Sequence, residues 1–268
     1  MSPIDHFSHG LTTPLAAYAM SSLGCMLGLL LAGRARLVDR AAGRFWLAGA
    51  AVAIGGTGIW TMHFIAMMGF SVQGTAIRYD VPLTVASALL AIVVVGAGLL
   101  LTSSGDARPL PLLGGGLLTG LGVAGMHYLG MAAMRMSAHV DYDPLVVGLS
   151  VLIAVVAATV ALWFAMRVTG ALAIGGAALM MGIAVCGMHY TGMFAMAVRL
   201  TPGRGPLPGA EAIAFLLPLI VGISVVTMGL LLTVVLSPSA KELREDAAFR
   251  ERLRRTDDDQ AERNLFGG

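Results

Sequence analysis

The chain has 268 residues, of which 57% are apolar and only 12% charged, with a mean hydropathy of +0.83 and a formal net charge of +2. Soluble domains carry about 25% charged residues, so this composition excludes an ordinary soluble enzyme and predicts an integral membrane protein. We therefore expect a lipid bilayer around most of the chain and no nucleic acid as a partner.

Seven segments are long and apolar enough to cross a hydrocarbon core of about 30 Å, which takes about 20 helical residues each. They lie near residues 14–33, 45–68, 82–102, 111–134, 144–165, 171–196 and 212–236. Their mixed glycine, alanine, leucine and valine content favours helices over barrel strands. The predicted fold is an all-α integral membrane bundle of seven transmembrane helices, with a transmembrane domain at 8–236.

The positive charges predict how the bundle is oriented. If the amino terminus lies outside, 13 of the 17 Lys and Arg residues fall on the inner side, mainly in the loop 34–44 and the tail 237–268. The other four fall outside. The positive-inside rule therefore places the amino terminus outside the cell and the carboxyl terminus in the cytoplasm.

The second, fourth and sixth segments each end in the same pattern, Met-His-aromatic-x-Ala/Gly-Met. The three histidines follow one another after 64 and 62 residues, which indicates one unit copied three times. We interpret each repeat as a pair of helices, so that the seventh helix has no partner. In the predicted topology all three histidines lie near the outer ends of their helices, at one depth. They are His63, His127 and His189.

Glycines are frequent ahead of each of these histidines, and Gly116 and Gly120 have the spacing of a close helix contact. We therefore expect the second, fourth and sixth helices to form an inner layer. Two acidic residues, Asp80 and Asp143, open the third and fifth segments. They either orient a ligating imidazole or cap their helices, and we favour capping.

Helical geometry indicates which side chains share a face with each histidine. At 100° per residue, a methionine four residues later lies 40° away, and Met134 and Met196, seven residues after their histidines, lie 20° away. The methionine before each histidine points about 100° away, towards a neighbouring helix. The candidate metal ligands are therefore His63, His127, His189, Met62, Met67, Met126, Met131, Met188 and Met193.

Imidazole and thioether groups together suit copper better than other metals, because magnesium and calcium prefer oxygen and catalytic zinc usually adds a carboxylate or thiolate. The alternative is that the methionines fill gaps in the bundle core. Recurrence at one membrane depth favours the functional reading, since polar side chains inside a membrane are costly. Cys186 is either a further thiolate ligand or a small buried residue, and we favour the second. His6, His9 and His139 are expected outside the membrane or at its surface, where they could capture metal on its way in, although exposed loop histidines are usually ordinary residues.

The segment Met188-His189-Tyr190-Thr191 reproduces the MHYT signature, and residues 8–236 resemble the MHYT domain of bacterial signalling proteins. The resemblance implies a sensor in the bacterial inner membrane that binds copper near the outer face. Its amino terminus is expected in the periplasm. It also implies sensing of a diatomic gas (oxygen, carbon monoxide or nitric oxide) or of redox state. Phe64 replaces the tyrosine of the first motif, so no tyrosine hydroxyl acts there.

Many members of this family carry a cytoplasmic output domain. We expect this chain to act without one and without catalytic activity of its own, through a cytoplasmic signalling partner or self-association. The charged tail, 237–268, is predicted to form a helix at about 240–255 followed by a disordered end. That helix is either solvated or a docking element for the partner.

Two other classes of function remain open at this point. Three histidines with nearby Asp and Ser residues could hold zinc in a membrane metal hydrolase, although the methionine beside every histidine argues against it. A copper transporter or a haem protein is the second alternative. Transport predicts ligands at several depths, whereas these motifs lie near one end.

Overall fold

A computed structural model gives the structure of the protein and describes residues 4–103, 109–201 and 207–237, together with residues 248, 249, 252 and 254. The predicted tail helix and the acidic end of the chain lie mostly outside these described residues. Seven helices within the described part are long and apolar enough to cross a membrane, which confirms the predicted number of spans.

The helices follow the hydropathy of the sequence closely. Their bounds are α1 Thr12–Ala35, α2 Arg40–Ala51, α3 Met62–Met67, α4 Val81–Ser103, α5 Pro109–Ala132, α6 Pro144–Arg167, α7 Ala171–Phe194 and α8 Ala212–Leu236. The second span joins α2, a π-helical segment at Val52–Thr61, and α3. This span begins at residue 40 rather than 45, because the side chain of Asp39 accepts hydrogen bonds from the backbone amides of Ala41 and Ala42 and caps the helix.

The end of the bundle that carries the three motifs is closed by short antiparallel strands, which the sequence did not predict. β1 (Ile4–Asp5) pairs with β2 (Ser71–Val72), and β5 (Ala138–Tyr142) pairs with β6 (Met196–Leu200). The third sheet has the order β4-β3-β7 and contains β3 (Arg78–Tyr79), β4 (Met134–Arg135) and β7 (Ala210–Glu211). These pairings link the loops that follow the second, fourth and sixth spans.

The second span is the most enclosed part of the bundle, with 89% of its membrane-spanning window buried. The first and third spans follow at 50% and 44%, ahead of the fourth at 39% and the sixth at 28%. The expected inner layer of the second, fourth and sixth spans is therefore wrong. These three spans make few contacts with one another and pack mainly against the other helices.

Glycine allows close crossings between neighbouring spans. A methyl group on Gly55 would collide with the backbone of Ala91 in α4, and one on Gly120 would collide with the backbone of Val155 in α6. A methyl group on Gly116 would likewise collide with Thr159 of α6. The predicted close helix contact at Gly116 and Gly120 is therefore confirmed. These glycines therefore bring the second span against the third and the fourth span against the fifth, rather than joining the motif spans in a common inner layer.

Candidate metal centre

The histidines of the three motifs converge on one point. The Nδ1 atom of His63 lies 2.9 Å from Nδ1 of His189 and 3.2 Å from Nδ1 of His127. The three ring centroids are 4.9 to 5.1 Å apart, and each pair of ring planes is nearly perpendicular, at 83° to 88°. The structure thus joins α3, α5 and α7, which lie far apart in sequence, through one cluster of three nitrogens.

All three rings are buried, with at most 1% of each residue exposed. The Nε2 atoms of His63 and His127 have no hydrogen-bond partner among the described residues. Each packs instead against a glycine of the next motif: Nε2 of His63 against Gly130, and Nε2 of His127 against Gly192. A methyl group at either glycine would collide with the ring. In the second and third motifs, glycine is therefore required by the histidine of the preceding motif.

The spacing of the Nδ1 atoms fits one bound ion. Three imidazole nitrogens that bind one ion at about 2.0–2.1 Å would lie roughly 3.3–3.6 Å from one another. The two separations from Nδ1 of His63, 2.9 and 3.2 Å, are slightly shorter than this range. A neutral imidazole has one N–H, so three converging nitrogens cannot all be satisfied by one another, and a metal ion would accept every lone pair. Among the His, Cys, Asp and Glu side chains of the described residues, these three histidines form the group with the spacing of a metal site.

The six candidate methionines lie close to these histidines in the sequence. All six are buried, with at most 3% of each residue exposed. Five belong to the main apolar core, whereas Met62 packs with Ala17 and Ala66 in a small separate cluster. The predicted stacking of Met134 and Met196 on the helix face is wrong. Both residues lie in strands, β4 and β6, because α5 ends at Ala132 and α7 ends at Phe194.

Aromatic neighbours of the histidines are tied to the span that follows each motif. The indole N–H of Trp60 donates to Ser87 Oγ at 3.0 Å, and the hydroxyl groups of Tyr128 and Ser150 are 2.7 Å apart. These bonds fasten α4 and α6 to the motif helices. In the third motif the buried hydroxyl of Tyr190 has no such partner among the described residues. The three repeats are therefore similar but not equivalent.

The two acidic residues near the motifs cap helices, as predicted. Asp80 accepts from the amide of Leu83, and Asp143 accepts from the amides of Leu145 and Val146. Asp80 also pairs with Arg135 at 2.7 Å, and this hydrogen bond holds the pKa of the Asp80 carboxyl below its ordinary value. Neither carboxylate belongs to the histidine cluster.

The other candidates differ in position. The His9 residue is exposed, and the His139 side chain is 73% exposed and pairs with Asp141. His6, in contrast, is half-buried among aromatic rings, and burial lowers its pKa although nearby Asp5 acts in the opposite direction. Cys186 is half-buried and unbridged, packed against the cluster of Met62, and is not grouped with the histidines.

An apolar cavity of about 50 Å³ lies deeper in the bundle than the histidines. Met188, which precedes His189, forms part of its wall, together with Met181 and Val185 from the same helix. Cys25 and Thr119 are the polar members of a lining that is otherwise aliphatic or methionine. The cavity places a small apolar space next to the third motif.

Comparison with known proteins identifies the repeat. The family described as "MHYT: Bacterial signalling protein N terminal repeat" matches residues 56–115, 120–177 and 182–244. Each match begins at or just before the motif of one span and runs through the next span, so the units are spans two and three, four and five, and six and seven. The seventh span, for which the sequence indicated no partner, is the second helix of the third repeat, and the first span lies outside the repeats.

Several signalling proteins are similar to the chain. The bifunctional diguanylate cyclase/cyclic di-GMP phosphodiesterase MucR of Pseudomonas aeruginosa is 40% identical over 223 residues, which cover 80% of this chain and 32% of that protein. The cyclic di-GMP phosphodiesterase NbdA of the same organism is 40% identical over 55% of this chain and 20% of its own length. The signaling protein YkoW of Bacillus subtilis is 31% identical over 57% of this chain and 20% of its own length.

The chain thus spans about a third of these relatives or less. No solved structure matches it. Three consecutive family matches cover more than half of the chain, and each contains one histidine of the cluster. The chain therefore belongs to the MHYT family, a multi-span membrane domain of bacterial signalling proteins.

Proposed function

We propose that this membrane domain binds copper at His63, His127 and His189 and reports its occupancy or ligation state as a signal. The observation that carries the proposal is the convergence of three buried Nδ1 atoms, of which those of His127 and His189 lie within 3.2 Å of that of His63. Buried polar groups normally have hydrogen-bond partners. These three nitrogens have only one another, and a bound cation would stabilise such a group of lone pairs.

The charge of the site supports monovalent copper in particular. Three neutral imidazoles and neutral thioethers leave the full charge of the ion buried, because no carboxylate belongs to the cluster among the described residues. A buried charge costs more free energy as it grows, so Cu(I) costs less here than a divalent ion. Thioether and imidazole ligands also match the softness of Cu(I), and Met67, Met131 and Met193 lie one helical turn from the histidines.

The alternative functions have less support in the structure. A haem needs space for its plane between two axial ligands, whereas Nδ1 of His63 and Nδ1 of His189 lie 2.9 Å apart. A zinc hydrolase needs a base beside the metal, and the nearby Asp80, Asp143, Ser87 and Ser150 are engaged in caps or in bonds to aromatic side chains. We propose no catalytic activity for the domain itself.

The proposal also covers the molecule that is sensed and the target of the signal. A diatomic gas would bind the copper ion directly, and the apolar cavity beside Met188 offers a small space close to the site. Because MucR and NbdA are named as enzymes of cyclic di-GMP turnover, we propose that the signal acts on a cytoplasmic partner of that kind or on a second copy of the chain. The output would travel through α8 and the tail that follows it.

Metal analysis of the purified protein tests this function. The wild-type protein should retain copper and little zinc, and changing His63, His127 and His189 together to Ala should abolish retention. A triple variant that changes the outer histidines His6, His9 and His139 to Ala leaves the ligand cluster intact and should reach the same copper content at equilibrium. Equal copper in wild type and in the cluster variant would refute the assignment, and a strong Soret band would identify haem instead.

A further inference from the structure

The amino-terminal segment is fixed over the end of the bundle that holds the histidine cluster. Ile4 and Asp5 form β1 and pair with Val72 and Ser71 of β2, just after the first motif. The amide and hydroxyl groups of Ser8 both donate to the carbonyl oxygen of Gly69, each at 2.9 Å. Two sets of contacts therefore hold the residues between them, including His6, at a defined position.

His6 is packed against the ends of two motif spans. Its ring centroid lies 5.0 Å from that of Phe194, the last residue of α7, and 5.7 Å from that of Phe70, which follows α3. The next residue, Phe7, packs on Tyr190 at 5.7 Å. The Nδ1 atom of His6 is buried and has no hydrogen-bond partner among the described residues. A buried imidazole nitrogen without a partner is unusual, and it is chemically available to bind a ligand.

The position of His6 relates it to the cluster. Phe194 lies five residues beyond His189, which corresponds to about 7.5 Å of helix rise. Met193 lies one residue closer to His189, so its backbone position on α7 is between those of His189 and Phe194. From the end of the bundle inwards, the order along α7 is therefore Phe194 with His6 packed on it, then Met193, then His189 of the cluster.

We propose that His6 is the capture ligand of the centre: it binds Cu(I) first and transfers it inwards to the methionines and the three histidines. The inference rests on the proposed copper function and adds the route by which the ion arrives. Each transfer exchanges one neutral nitrogen or sulfur donor for another, so no electron or proton has to move. The charge on the ion stays the same from the first ligand to the last.

The chain contains matched controls for this role. His9 and His139 lie at the same end of the bundle, but the His9 residue is exposed and His139 is paired with Asp141. General attraction of copper to surface imidazoles would involve all three residues equally. A specific route would involve His6 alone.

Stopped-flow transfer of Cu(I) from a chromogenic chelator to the purified full chain tests the proposal. His6→Phe keeps an aromatic ring against Phe70 and Phe194 but removes the ligand. We expect it to slow both loading and removal by at least about tenfold, a rise in the barrier of roughly 1.4 kcal/mol, with the same copper content at equilibrium. His6→Met supplies a soft sulfur and should restore most of the rate, whereas His9→Ala and His139→Ala should match the wild type.

The outcomes separate this proposal from the proposed function. Wild-type transfer rates in His6→Phe, or rates in His6→Met as low as in His6→Phe, would show that His6 only packs against its neighbours. A lower copper content at equilibrium in His6→Phe would make His6 a permanent ligand and also overturn the transfer role. A wild-type protein that takes up no copper would overturn the proposed function, and this inference with it.

Discussion

At the scale of single residues, the main finding is that two of the three histidines pack against a glycine of the next motif. His63 packs against Gly130 of the second motif, and His127 packs against Gly192 of the third. In the first motif the equivalent residue is Ala66, which is buried beside Met62. Gly130 and Gly192 thus make room for the histidine of another repeat, a role that cannot be seen within their own repeats.

Gly192→Ala should therefore weaken copper binding although it changes no ligand. The added methyl group would collide with the imidazole of His127, which would have to leave the cluster. We expect the affinity for Cu(I) to fall about tenfold to a hundredfold, the range found when groups that orient a metal ligand are altered. Competition with a chelator of known affinity measures the change.

Gly187→Ala is the matched control, because it lies on the same helix and a methyl group there has no neighbour within 4 Å. It should bind copper as tightly as the wild type. Equal affinities of Gly192→Ala and Gly187→Ala for Cu(I) would contradict the inference that Gly192 makes room for His127.

At the scale of helices, the second span differs most from an ordinary transmembrane helix. Its central segment, Val52–Thr61, is π-helical and leads directly into Met62 and His63. Hydrogen bonds from residue i to i+5 are rare, and they occur mostly at functional sites. Gly58 in this segment packs on Cys25 and Ser21 of α1, so the wider backbone still allows a close crossing with the first span.

Gly24→Ala tests this crossing. Its methyl group would lie 2.7 Å from the carbonyl oxygen of Ala53, and backbone atoms cannot move aside as a flexible side chain can. We expect the free energy of unfolding to fall by about 1–3 kcal/mol, as in other overpacked interiors. Gly114→Ala, which meets nothing within 4 Å, should be neutral or slightly stabilising in the same denaturation experiment in mixed micelles. A tolerated Gly24→Ala would show that the two spans can separate.

At the scale of the whole molecule, sequence reasoning predicted the features that repeat and missed those that depend on contacts between repeats. Hydropathy located six of the seven spans within two residues, and the motif spacing identified the three histidines. It could not predict the π-helical segment, because a rule of 100° per residue assumes an α-helix. The strands were also missed, since residues such as Met134 and Met196 read as continuations of apolar helices until backbone pairing across loops is known.

The odd number of spans places the start of the first span, Thr12, and the end of the last, Leu236, on opposite sides of the membrane, and the charge distribution predicts which side is which. In a variant with Cys25 and Cys186 changed to Ser, a membrane-impermeant maleimide should label His139→Cys on intact cells. It should label Arg167→Cys only after lysis, because this exposed residue ends α6 at the opposite face. Labelling of Arg167→Cys in intact cells would invert the topology and place the histidine cluster near the cytoplasm.

The position of the three histidines along the chain also bears on how the protein is made. His63, His127 and His189 enter the membrane in separate helices, and the cluster is incomplete until the sixth span has been inserted. During synthesis the first two imidazoles therefore lie among apolar helices without the third, a costly state that the arrival of His189 relieves. Under the proposed function, a chain whose sixth span has not yet been inserted would lack one of the three histidines and would therefore not hold the ion.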